Sequence, residues 1–212
     1  MIDLYTWTTP NGRKVSILLE ELGVPYKVHS IDITKEEQFA SDFLNIAPNN
    51  RIPAIVERET GIQLMESGAI MIYLADKYSK FQCEGAEYWQ MIEWLMWQMG
   101  GLGPMLGQTH HFLKYNKGKS SYAEKRYRTE TQRLYTVLNT RLDSRDFIAG
   151  SNRGTYTIAD IACWPWVSRF EWQQVDLKSF PNVKDWYLRI AKRPAVQAGY
   201  SVPKFTTDVP MP

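Results

Sequence analysis

The sequence predicts an α/β plus all-α protein: a βαβαββα domain over residues 1–80, a linker at 81–86, an all-helical domain over 87–203 and a tail at 204–212. Three observations carry this. Short β-prone runs alternate with amphipathic stretches through the first 78 residues. "KFQCEGAE", at 80–87, then interrupts the periodicity, and from Tyr88 onward apolar side chains recur at helical intervals without a sustained strand pattern.

Taken in order, residues 2–7 form a β-prone run. From Arg13, Val15, Leu18, Leu19 and Leu22 follow helical spacing, and Gly23 with Pro25 just beyond stops the helix. Residues 26–33, rich in β-branched and aromatic side chains, read as a strand, 35–45 as a weaker helix with Phe39, Phe43 and Leu44 on one side, and 52–57 as a further strand. "ERETGIQLM" sets a polar Glu59-Thr60-Gly61 turn between two strands, and "ESGAIMIYLADKY" opens a helix with Ile70, Tyr73, Leu74 and Lys77 at helical intervals. In the second half the helical series are Tyr88, Met91, Ile92, Leu95, Met96 and Met99, then Tyr127, Leu134, Val137, Leu138 and Leu142, then 158–169. Seven of the eight tryptophans fall there, which predicts a tryptophan-rich core. "YTIAD" matches a capping box, with Thr157 at N-cap, Asp160 at N3 and Tyr156 facing Ile161. Asp160 is then structural, and Asp160→Ala is expected to cost about 1 kcal/mol. The tail "KFTTDVPMP" has little to pack and reads as a loose strap or disordered.

The chain has 44% apolar and 23% charged residues, enough for a sizeable core without metal or disulfide support. Its 25 basic and 23 acidic residues are well mixed and net +2, which gives no electrostatic case for a nucleic-acid partner. The start lacks a basic n-region, and no run approaches the roughly 18 apolar residues of a membrane span, so a cytoplasmic protein is expected. Cys83 and Cys163 match neither a disulfide framework nor a metal spacing and suit a reducing compartment. "GGLGPMLG", at 100–107, follows a helix and fits no phosphate-loop pattern; its glycines either kink a long helix or admit another backbone. Adjacent His110 and His111 point about 100° apart on a helix, with no Cys or acidic cluster to complete a metal site, so no metal is expected.

The turn Thr8-Thr9-Pro10-Asn11-Gly12 has almost nothing to bury. Thr9 fits an N-cap and Pro10 fits N1, which leaves Asn11 and Gly12 in a first helical turn whose backbone N–H groups and dipole favour an anion. Two readings stay open there, a capped helix alone or an anion cradle. A second helix start at "MESGAI" and the Ile-Pro step of "NNRIPAIV" add weight to the cradle. Ile52-Pro53 is a candidate cis bond that would turn backbone outward toward an extended peptide. Glu66 and Ser67 are suited to the amino and carboxylate ends of an amino-acid head group. No cysteine lies between Thr6 and Gly12, so any reactive thiol must be borrowed. Together these features point to a small peptide carrying a reactive anion.

The residues "TPNG" (9–12), "QF" (38–39), "SDFLNIAPNNRIPAIV" (41–56), "ESGAIMIYLA" (66–75), "WQMGGLGPMLGQTHHF" (97–112), "RYRTETQRLYTVL" (126–138) and "YTIADIACWPWV" (156–167) make the chain resemble the glutathione transferases. Within them it resembles the branch shared by bacterial nu-class enzymes and fungal nitrogen-regulator-like proteins. The resemblance implies a thioredoxin-like first domain, a helical second domain, a homodimer, and glutathione held mainly by residues 1–80. It carries the thiol site to Thr9 and Asn11, peptide binding to Gln38, Arg51 and Ile52, and the γ-glutamyl end to Glu66 and Ser67. Arg126 would reach the ligand from the opposite subunit, against the alternative of an i, i+4 pair with Glu130. The implied activity is glutathione-dependent disulfide reduction, with weaker conjugation of electrophiles or peroxidase activity. The second substrate, a small disulfide or electrophile, would be read by helical-domain side chains such as His111 and Trp164. The rival reading is a non-catalytic glutathione-binding carrier or regulator of the same fold.

Overall fold

All residues from 1 to 212 are described by the computed structural model, and their contacts divide the chain into two units, Met1–Lys80 with Ala191–Val209 and Phe81–Ile190 with Pro210–Pro212.

In the first unit the strands are β1 (Ile2–Thr6), β2 (Tyr26–Ser30), β3 (Ala54–Glu57) and β4 (Gln63–Met65), in sheet order β2-β1-β3-β4. Helix α1 (Pro10–Leu22) makes the crossover that lets β1 and β2 pair in parallel, from Ile2↔Tyr26 to Thr6↔Ser30. The β3–β4 hairpin then adds an antiparallel half, from Ile2↔Glu57 to Tyr5↔Ala54 on β1. Ile2, Leu4 and Thr6 share one face of the central strand and are fully buried, while on the opposite face Asp3 is buried and Tyr5 half-buried. Helix α3 (Ser67–Tyr78) is tied back to the sheet where the Tyr73 hydroxyl and the Lys77 ammonium both donate to the buried Glu57 carboxylate.

The expected helix over 35–45 is mostly absent. Two 3₁₀ turns, Ile33–Lys35 and Glu37–Phe39, lead to the single-turn helix α2 (Ser41–Leu44). Asp32 Oδ1 captures the Thr34 amide at 3.0 Å, Glu36 adopts φ 62°, and Ala40 is extended, so no continuous ladder can form. Phe43 is buried there, but Phe39 is 52% exposed, so the two do not share one packed face.

Helix α9 (Pro194–Tyr200) and the segment after it lie with this first unit, whereas the sequence suggests a helical-domain stretch running to 203. α9 docks on α1 at contact distance. Ser16 Oγ donates to Gly199 O at 2.7 Å, and a Cβ on Gly199 would stand 2.5 Å from Ile17 Cα, so only glycine fits. Arg13 Nε donates to Tyr200 O at 3.0 Å while its guanidinium lies 3.5 Å from the Tyr200 ring centroid. The tail is an ordered strap: Arg13 Nη2 donates to Thr206 Oγ1 at 3.3 Å, Lys204 Nζ sits 4.2 Å from the Trp7 ring centroid, and Val209 is buried.

The second unit is built from α4 (Gly85–Trp97), α5 (Gly103–His110), α6 (Ser121–Arg141), α7 (Ile158–Val167) and α8 (Pro181–Ala191). Gly100 and Gly101 fall in a π-helical turn, Gln98–Leu102, that joins α4 to α5; the glycine-rich run therefore widens one helical path. Asp160 is fully buried and closes the capping box of α7, with Thr157 N donating to Oδ2 at 3.0 Å. It does more than cap: Oδ1 accepts from Ile148 N and Trp186 Nε1, both at 2.9 Å. Tyr156 packs its ring against Phe81 and Phe147. The tryptophan-rich core is only partly realised. Trp164 and Trp186 are fully buried and Trp164 stacks on Tyr187 at 5.1 Å, but Trp89 is 70% exposed.

Candidate functional site

The first unit brings two helix starts to one cleft. At the first, Thr9 Oγ1 accepts the Gly12 amide at 3.2 Å, Pro10 occupies N1, and Thr9 N donates to Trp7 O at 2.7 Å. Gly12 has no alternative: a Cβ there would lie 2.2 Å from Trp7 O and 2.5 Å from Thr6 Oγ1. This close approach folds the turn tightly and leaves Asn11 half-buried at the helix start. At the second, Glu66 precedes α3 with φ 69° and ψ 111°, a conformation that costs an L-residue of order 1–3 kcal/mol and persists only where the surroundings impose it. Its carboxylate accepts from Asn49 Nδ2 at 3.5 Å.

Between these starts lies a cleft of about 130 Å³ lined by Asn11, Arg51, Ile52, Pro53, Met65, Glu66 and Ser67. Five of the residues singled out in the sequence therefore meet. The Ile52–Pro53 peptide is cis, and Ile52 lies beyond the β1–β3 ladder, whose last pair is Tyr5↔Ala54. The Ile52 side chain packs with Met65 against the Phe43–Ala47–Ala54 cluster, which holds the main chain at the cleft edge. Arg51 is exposed and donates to Asn50 through Nη1.

The other three candidates lie outside that lining. Thr9 is half-buried and serves as the helix cap. Gln38 occupies a 3₁₀ turn, its amide Oε1 buried with no hydrogen-bond partner, an acceptor in want of a donor. Arg126 belongs to the second unit, where it is exposed on a cleft of about 560 Å³ shared with Met105, Tyr122, Tyr127 and Glu130. Glu130 takes Arg133 as its hydrogen-bonded partner, with Nε to Oε2 at 2.8 Å and Nη2 to Oε1 at 2.7 Å, while Arg126 makes no salt bridge to it and acts on it only through its charge.

Of the residues suggested as readers of a second substrate, His111 is exposed, but Trp164 is fully buried and gives its indole N–H to Tyr187 O at 3.1 Å, so Trp164 reads no substrate. His110 is buried in a network in which Tyr135 donates to Gln173 Oε1 at 2.6 Å and Gln173 Nε2 donates to His110 Nε2 at 3.1 Å. Burial, then the charges of Arg169 and Lys114, bring its pKa down to about 4. Cys83 and Cys163 are buried free thiols, and burial pushes the Cys83 thiol up, away from reactivity. No group of three or more His, Cys, Asp or Glu is placed to hold a metal ion, and no helix is long and apolar enough to cross a membrane.

Sequence reasoning missed Lys14. It is 1% exposed, and its ammonium donates to Ser67 Oγ at 3.2 Å. The available signal was its place three and four residues before Ile17 and Leu18, on the buried stripe of α1.

Comparison with known proteins agrees with this architecture. Residues 1–76 match the glutathione S-transferase N-terminal domain and residues 99–194 the glutathione S-transferase C-terminal domain. The disulfide-bond oxidoreductase YfcG of Escherichia coli (strain K12) is 49% identical over 201 residues, covering 92% of each chain. A glutathione transferase from Pseudomonas putida, solved with one glutathione disulfide bound per subunit, superposes with a TM-score of 0.89 at 38% identity, over 95% of this chain and 91% of that one. A second from Burkholderia graminis, solved with two glutathione molecules bound per subunit, gives a TM-score of 0.89 at 40% identity, over 97% and 89%. With both halves matched in order and the thioredoxin-like sheet in place, the chain belongs to the glutathione transferase family.

Proposed function

We propose that the protein is a glutathione-dependent disulfide reductase, a thiol transferase that draws its reactive sulfur from bound glutathione, with weaker conjugation or peroxidase activity. The observation that carries this is the meeting of Asn11, Arg51, Ile52, Glu66 and Ser67 on one cleft at two helix starts, in a unit whose opening turn contains no cysteine. The similarity to a disulfide-bond oxidoreductase and to structures solved with glutathione disulfide or two glutathiones supports the same chemistry.

In this reading residues 1–80 hold the tripeptide. The Ile52 main chain pairs with its backbone, Arg51 supplies positive charge, and the orphaned Gln38 Oε1 accepts a ligand N–H. Glu66 faces the γ-glutamyl amine and Ser67 the adjacent carboxylate. Asn11 and Thr9 donate hydrogen bonds to the sulfur. Capping uses a lone pair of the Thr9 hydroxyl and leaves its hydrogen to give. A thiolate needs donors and no base: lowering a thiol pKa from about 8.5 to about 7 takes about 2 kcal/mol, within reach of two charge-assisted bonds and a helix terminus. The thiolate attacks one sulfur of the substrate disulfide and expels the other as a thiolate; a second glutathione resolves the mixed disulfide, so that two glutathiones are oxidised and one disulfide is reduced.

The working unit is a cytoplasmic homodimer with a detoxifying role, in which exposed Arg126, held by no hydrogen bond or ion pair, reaches the ligand of the opposite subunit. Parallel assays of hydroxyethyl disulfide reduction and aryl-halide conjugation, with calorimetric titration of reduced and oxidised glutathione, test the proposal. Tight binding with disulfide turnover is expected. Binding without turnover on disulfide, peroxide or aryl halide would identify a carrier, and no binding of either form would overturn the assignment.

A further inference from the structure

The glutathione reading, on which this inference rests, leaves open what decides which end of the γ-glutamyl head group lies at Ser67. Ser67 lines the cleft and Lys14 does not, so Lys14 stands directly behind it, one turn into α1. The Lys14 ammonium has only hydrogens to offer, so in its 3.2 Å contact the Ser67 oxygen is necessarily the acceptor. The Ser67 hydrogen therefore points away from Lys14. Ser67 is also the first residue of α3, where backbone N–H groups and the helix dipole favour an anion. Both residues are almost fully buried, at 1% for Lys14 and 3% for Ser67, so the ammonium's field reaches the cleft with little screening by water. One residue earlier, Glu66 presents a carboxylate on the same cleft, held in its strained backbone conformation.

We propose that Lys14 is a positioning residue that polarises Ser67 and makes that corner of the cleft a carboxylate site, so that the α-amino acid head group binds in one orientation, amine to Glu66 and carboxylate to Ser67. The ligand class this selects is a peptide beginning with a γ-linked glutamyl group. Neither a dipeptide lacking that group nor a head group lacking its α-carboxylate meets both ends.

The test pairs protein variants with truncated ligands in calorimetric titrations. The ligands are glutathione, 4-aminobutyryl-cysteinylglycine, which lacks the α-carboxylate, and glutaryl-cysteinylglycine, which lacks the amine. Lys14→Met is expected to weaken glutathione about tenfold to a hundredfold, the worth of a hydrogen bond to a charged group. Affinity for the aminobutyryl peptide should stay unchanged, and Lys14→Arg should restore most of the glutathione affinity. Equal weakening of both peptides would reduce Lys14 to a packing role and overturn the proposal. Should Lys14→Met not fold, Lys14→Gln carries the same comparison. The unaltered protein adds an independent arm: removing the carboxylate must cost more affinity than removing the amine, and the opposite order overturns the proposal. Failure of the unaltered protein to bind any of the three would strike at the glutathione reading itself and take this inference with it, a result distinct from an unaltered protein that binds with no coupling to Lys14.

Discussion

The Gly12 amide donates to Thr9 Oγ1 at 3.2 Å, and this one bond closes the turn that carries Asn11 between them. Thr9 is therefore a helix cap whatever else it does. Thr9→Ala is expected to cost about 1 kcal/mol of stability, seen as a lower melting temperature, with Thr9→Ser close to the unaltered protein. If the hydroxyl also donates to sulfur, disulfide turnover falls in Thr9→Ala beyond what the loss of folded protein explains.

Asn11 makes the complementary test, because it lines the cleft and does not cap α1. Asn11→Ala is expected to lower kcat with hydroxyethyl disulfide by about 10- to 100-fold, the worth of one charge-assisted donor, while the Kd for glutathione changes little. Unchanged turnover would remove Asn11 from the thiolate site.

Gly12→Ala should damage fold and site together. Its methyl group would have to share space with Trp7 O and Thr6 Oγ1, both within 2.5 Å of the ideal Cβ position. A loss of about 1–3 kcal/mol is expected from overpacking, measured by urea unfolding, with a parallel loss of glutathione affinity as the turn shifts. Full stability with normal binding would show the turn to be softer than its contacts imply.

Asp160→Ala should cost more than the 1 kcal/mol expected of a simple cap. The carboxylate serves Thr157 N, Ile148 N and Trp186 Nε1 in a fully buried setting, and its removal strands all three donors. Several kcal/mol, about 3–5, is the expected loss. Equilibrium unfolding at pH 7 measures it. A loss near 1 kcal/mol would mean that water reaches the vacated space.

Two buried groups give stability opposite pH slopes. The His110 pKa is depressed to about 4 by burial and by Arg169 and Lys114, so its contribution is present above about pH 6.5 and is lost as pH falls through 4. The Asp160 pKa is raised to about 6, chiefly by burial against the pull of its hydrogen bonds, so its contribution is greatest below about pH 4 and declines as pH rises through 6. Each window is worth about 3 kcal/mol, and the two largely cancel between pH 4 and 6.5. Urea unfolding across that range should therefore show His110→Gln losing stability as pH rises, relative to the unaltered protein, and Asp160→Asn gaining it. Parallel profiles for all three proteins would refute both assignments.

Local chemistry made much of this molecule legible. The Thr9-Pro10 helix start, the Gly23 stop at φ 67°, the β3–β4 hairpin and the Thr157–Asp160 box are each decided within a few residues, by capping bonds and conformational preference. The same short range explains the broken helix at 35–45: side-chain capture by Asp32 and the left-handed Glu36 outweigh the weak apolar spacing of that segment.

What the amino-acid sequence alone determined was the order of elements and most residues of the cleft, because helix starts, X-Pro steps and the absence of a cysteine are local properties. Tertiary structure decided which of those residues meet, that Gln38 keeps a buried acceptor without a partner, that Trp164 is sealed in a core, that α9 and the strap lie with the first unit, and that Lys14 stands behind Ser67. Those are contacts between residues up to 193 positions apart, such as Arg13 with Thr206. They depend on how closely two backbones can approach, and apolar periodicity carries no record of that distance.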